Sequence, residues 1–148
     1  MESRNIEGFK QAHPGMRFPD YRSLKANETL EIRRRLKQIT KLPEIADDLT
    51  LTRQIATLSK ICSDENADDE KFNLLNTLKS LNISPNDKVF VNFYRFDEID
   101  ELPIEDVSRY FRFIWYPASD DIDIFDETLE WILSVTHSGI IRALVLET

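Results

Sequence analysis

The run KVFVNFYRF at Lys88–Phe96 divides this sequence into two kinds of chain. It is dense in β-branched and aromatic residues and reads as a strand. Before it, apolar residues recur at helical spacing. After it, short apolar runs alternate with acidic stretches. Helices followed by strands define an α+β chain.

Three helices are expected ahead of that run. Ile32, Leu36 and Ile39 share one face of a helix over 27–42, with Asn27 as its cap. Leu51, Ile55, Leu58 and Cys62 mark a second, opening at Pro43–Glu44 and ending near Cys62. Leu74, Leu78 and Leu81 mark a third over 70–81, after a polar loop at 63–69. Gly8, Pro14, Gly15 and Pro19 interrupt any pattern near the start, so residues 1–22 read as an irregular arm and 23–84 as mainly helical. Cys62 reads as a buried small hydrophobe.

Residues 85–148 read as strand–loop–strand–helix–strand. The expected elements are a strand at 88–96, an acidic loop at 97–107 with room for a short helix, a strand at Arg109–Tyr116 (RYFRFIWY), a turn at 117–123, a helix at Ile124–His137 and a strand at Ile140–Glu147. Gly139 suits the left-handed position just past that last helix, and His137 its negative C-terminal end. The expectation is one α+β domain over 1–148, with about three helices, then a small sheet of about three strands and one further helix.

The charge is divided as sharply as the structure. Residues 1–85 carry 14 basic and 13 acidic residues; residues 86–148 carry 5 and 14. Asp97, Glu98, Asp100, Glu101, Glu105 and Asp106 form one cluster without a base, and Asp120, Asp121, Asp123, Asp126, Glu127 and Glu130 form another. Acids at a helix start are stabilising on their own account. A field of this sign also attracts a basic partner and repels phosphate, which argues against nucleic acid. The run Arg33–Arg34–Arg35 lies on a helix with Glu28 and Glu31 and reads as its solvated face.

Catalytic parts are scarce. Three glycines do not build a phosphate-cradling loop. Two histidines and one cysteine do not furnish a zinc site without carboxylates, and one cysteine forms no internal disulfide. Asp121-Ile122-Asp123 lacks the glycine and the distal glutamate of a calcium loop. No metal or other cofactor is expected, nor an enzyme; a divalent-ion-dependent hydrolase using the acidic clusters is the distant alternative. No apolar leader opens the chain and no run reaches membrane-spanning length, so a cytoplasmic protein is expected.

The aromatics beside the acids supply anchors for a protein partner. The candidate partner-binding residues are Asp97, Glu98, Asp100, Glu101, Trp115, Tyr116, Asp120, Asp121, Asp123, Asp126 and Glu127. The segment Phe111–Arg142, FRFIWYPASDDIDIFDETLEWILSVTHSGIIR, is expected to set an aromatic strand, an acidic turn and a helix with a tryptophan in series. In this, and in size and acidity, the chain resembles the small bacterial immunity proteins of contact-dependent and polymorphic toxin systems. That resemblance implies a one-to-one complex that masks the active site of a basic, nuclease-like toxin domain. An adaptor or regulatory subunit of a larger bacterial or phage assembly uses the same kind of surface.

Overall fold

The computed structural model describes residues 1–62 and 64–146. In chain order the helices are α1 (Ser3–Ala12), α2 (Ala26–Ile39), α3 (Asp48–Leu58), α4 (Leu74–Ser80), α5 (Ile104–Arg109) and α6 (Phe111–Ile114). The strands are β1 (Arg22–Ser23), β2 (Lys60–Ile61), β3 (Lys88–Tyr94), β4 (Glu98–Pro103), β5 (Ile122–Phe125), β6 (Trp131–Val135) and β7 (Ile141–Val145). Among the described residues the strands form one antiparallel sheet, ordered β1-β4-β3-β5-β6-β7-β2. The fold remains α+β. The expected sheet of three strands with one further helix is corrected to seven strands and six helices.

Helices cover both faces of the sheet. Val89, Val91, Leu102, Ile122, Ile124, Leu133 and Ile141 turn to one side and pack with Leu74 and Leu78 of α4, Val107 of α5 and Ile114 of α6. Ile99, Phe125 and Ile132 turn to the other and pack with Ile32 and Leu36 of α2 and Leu51 and Ile55 of α3. Alternation along each strand divides the core in this way.

The two largest corrections share a physical cause. The segment RYFRFIWY is not a strand. Its buried residues, with those just before it, are Ile104, Val107, Phe111, Ile114 and Trp115, which recur at separations of three and four. That spacing is helical, and it outweighs the strand preference of the aromatics. Residues 124–137 are not a helix but the hairpin β5–β6. Trp131, Leu133 and Val135 face one core and Ile132 the other. A strand buried on both faces loses its alternation, and its apolar run fits either period.

Smaller corrections follow local chemistry. Residues 1–22 hold α1, whose Asn5 and Phe9 are buried. Gly8 does not break it. A Cβ there would stand 2.7 Å from the Tyr116 hydroxyl, so glycine permits close packing. The expected cap Asn27 lies inside α2; the Lys25 N–H donates to the Glu28 carboxylate at 3.0 Å instead. α3 starts at Asp48, because Asp47 accepts the Thr50 N–H at 2.7 Å. That bond holds the Asp47 carboxyl below the ordinary aspartate range. α3 stops at Leu58 rather than Cys62, and β2 follows. α4 is shorter than expected, since Asn73 caps it through the Asn76 N–H.

The acidic loop expected at 97–107 contains β4, whose Ile99 and Leu102 are buried. Gly139 does adopt positive φ, at 85°, in the turn from β6 to β7 and not at a helix end. A Cβ there would fall 2.0 Å from Asn66 Oδ1. His137 lies in the same turn, where its ring Nδ1 is 3.0 Å from Asp121 Oδ1. The strand expected at 140–147 is β7; its last residue, Glu147, and Ser63 of the expected polar loop lie outside the described residues.

Candidate functional site

The acids of the two clusters divide into those the fold uses and those it leaves at the surface. Asp100 is 2% exposed. It pairs with the Met1 ammonium and accepts the Ser23 hydroxyl at 2.6 Å, tying α1 and β1 to β4. Asp126 is 1% exposed and serves the turn between β5 and β6. Asp120 accepts the Tyr116 N–H at 2.9 Å and pairs with Arg4 of α1. Asp123 accepts Ser134 Oγ at 2.5 Å and Asn92 Nδ2 at 2.9 Å across three strands. Asp121 accepts the His137 N–H at 2.6 Å.

The expected anchors are also taken by the fold. Trp115 is 2% exposed, stacked on Phe111, with its indole N–H donated to the Asp120 carbonyl at 2.9 Å. Tyr116 is half-buried beneath Arg4. The acids of the two clusters that remain exposed are Asp97, Glu98, Glu105, Asp121, Glu127 and Glu130, and apart from Asp121, which faces His137, none of them forms an ion pair among the described residues.

Asp97 and Glu98 sit where β3 turns into β4. Tyr94, the last residue of β3, is 51% exposed and lies directly across from Glu98. The Arg95 guanidinium stands 4.9 Å over the Tyr94 ring. Arg95 and Phe96 have φ of 48° and 58°, closed by the Asp97 N–H on the Tyr94 carbonyl at 3.0 Å. Phe96 anchors this turn: it is fully buried, its N–H donates to Asn92 Oδ1 at 2.8 Å, and its carbonyl accepts Arg33 Nη1 at 2.8 Å. A shallow groove beside the turn is lined by Phe93, Asp97, Glu98, Glu2 and Leu24.

A second groove brings the two sequence clusters together. Glu101 of β4 and Glu127 of the β5–β6 turn both line it, with Phe90, Glu28, Glu31 and Arg35. Arg22 bridges Glu28 at 2.8 Å and Glu101 at 3.4 Å on its wall. Arg33, Arg34 and Arg35 are engaged internally, with Asp48, with Glu31 and with the Glu127 carbonyl respectively. Tyr94, Arg95 and Phe90 all belong to the run read as a strand and are not among the expected partner-binding residues. The segment Tyr94–Asp97 has no glycine, asparagine or proline, so only Asp97, where a loop is expected to begin, marks the turn locally.

Among the described residues no three His, Cys, Asp or Glu side chains converge as a metal site requires, and no helix is long and apolar enough to cross a membrane. No family model, curated protein or solved structure matches the chain.

Asp123 supplies a pH signature for this network. Burial pushes its carboxyl above the ordinary 3.8; the Ser134 and Asn92 donors oppose the shift and Asp121 adds to it. A raised carboxyl favours its protonated form in the folded state. Its contribution to stability is therefore complete below 3.8 and lost as pH rises through the raised value. The stability of the wild type relative to Asp123→Asn, measured by urea unfolding across that window, is expected to fall with rising pH. A difference that is flat with pH would show that the carboxyl titrates as an exposed one.

Proposed function

We propose that this is a binding protein for a basic protein partner, acting in the cytoplasm as an inhibitor of the immunity type that masks the partner's working surface. The observation that carries the reading is the exposed group Tyr94, Asp97 and Glu98. Its two acids form no ion pair among the described residues, while Asp100, Asp120 and Asp126 of the same sequence clusters are consumed by the fold. Unpaired carboxylates around an exposed aromatic combine electrostatic steering with an apolar contact. Glu127, exposed and without an ion pair among the described residues, adds a charge of the same sign at the second groove.

The test is retention of a basic protein from source cells on the immobilised chain, followed by salt titration of the purified pair. Kd is expected to weaken at least tenfold between 50 and 500 mM salt, about the loss of a few surface ion pairs. A partner held equally well at both concentrations, or an acidic one, would refute the reading.

A further inference from the structure

The β3–β4 turn has a construction that the fold alone does not require. Two successive residues with positive φ are ordinarily supplied by Asn-Gly or Asp-Gly, because a side chain in the left-handed region costs about 1–2 kcal/mol. Here they are Arg95 and Phe96. Phe96 has a structural reason, since its ring fills the core with Phe125 and Ile99. Arg95 has none of that kind. It is exposed, and its guanidinium is spent on the outward ring of Tyr94.

We propose that this turn is the anchor of the interface: Tyr94, with Arg95 stacked on it, enters an apolar pocket of the basic partner while Asp97 and Glu98 meet lysines or arginines on the pocket's rim. This rests on the binding function proposed above and adds where the contact is centred. Three features support it. Tyrosine and arginine are the residue types that dominate binding energy in protein interfaces. The pair is held ready, because Asn92 Oδ1 accepts both the Tyr94 N–H at 3.2 Å and the Phe96 N–H at 2.8 Å, and Arg33 locks the Phe96 carbonyl; a rigid anchor loses little entropy on docking. The acids beside it form no ion pair among the described residues, so their charge is available to the rim.

The experiment uses the full chain and, as probe, the protein that the wild type retains at 50 mM salt and releases at 500 mM, itself expressed and purified. Tyr94→Ala is expected to raise Kd about 30-fold, the effect of losing one anchor residue. Arg95→Asn is expected to raise Tm by about 2–4 °C, because asparagine tolerates the left-handed region, while raising Kd about tenfold. Tyr21→Ala, at an exposed aromatic on the segment before β1, is expected to leave Kd unchanged. A salt-sensitive complex whose Kd moves less than twofold with Tyr94→Ala overturns the anchor and leaves the binding function standing. A lower Tm for Arg95→Asn also overturns it, since Arg95 would then be serving the fold. Retention of no basic protein overturns both.

Discussion

Replacing Asp126 with alanine is expected to cost on the order of 3–5 kcal/mol, enough to unfold much of a marginally stable domain. The carboxylate is buried and holds four donors. Oδ1 accepts the Thr128 N–H at 3.0 Å and the Thr128 hydroxyl at 2.5 Å; Oδ2 accepts the Asn86 N–H at 3.0 Å and the Trp131 indole N–H at 3.0 Å. Alanine leaves all four unmet, and water does not readily reach Trp131, which is 4% exposed. Asp126→Asn keeps the shape and one acceptor oxygen, so it is expected to lose less. Urea unfolding followed by tryptophan fluorescence measures both. A loss below about 1 kcal/mol for alanine would show that the donors are satisfied elsewhere, and would return Asp126 to the partner-binding candidates.

Phe9→Ala is expected to cost about 3–4 kcal/mol, as for other fully buried aromatics, and to detach α1. Phe9 is 0% exposed and meets Phe18, Tyr110 and Phe113 edge-on at ring separations of 5.3, 5.2 and 5.5 Å. The remaining ties of α1 are polar: Asn5 Nδ2 to the Phe113 carbonyl at 2.9 Å, and the Arg4–Asp120 and Met1–Asp100 pairs. In hydrogen exchange, α1 amides are expected to lose protection while those of β3, β5 and β6 keep theirs. Full protection of α1 in the variant would mean that the polar ties alone hold it.

How much of this was legible follows from where each signal lies. α2, α3 and α4 are recognisable because their apolar residues keep one period and face one core; β3 and β7 touch both cores and are recognisable as short runs rich in β-branched, aromatic or other apolar residues. Residues 109–116 and 124–137 misled for opposite reasons. Aromatic composition imitates a strand in the first, where the spacing of Val107, Phe111 and Ile114 is helical. Burial on both faces hides the alternation of the second. β1 and β2 have two residues each and exist only because β4 and β7 present open edges to them. The charge division singled out Asp97 and Glu98, which are exposed. It did not distinguish them from Asp100 and Asp126, whose donors come from Met1, Ser23, Asn86 and Trp131, positions that only the folded chain brings near.

The strand order has a consequence for how the chain reaches its fold. Both rims of the sheet, β1 and β2, come from the first 61 residues, yet their neighbours are β4 and β7, which lie much later in the chain. During synthesis the N-terminal helices therefore emerge with no sheet to join. β2 must wait for β7, the last strand. Pairings over such separations close large loops before any contact rewards them, which slows folding. β1 can close once β4 has formed and β2 only once β7 has, and until each closes its neighbour presents a bare edge.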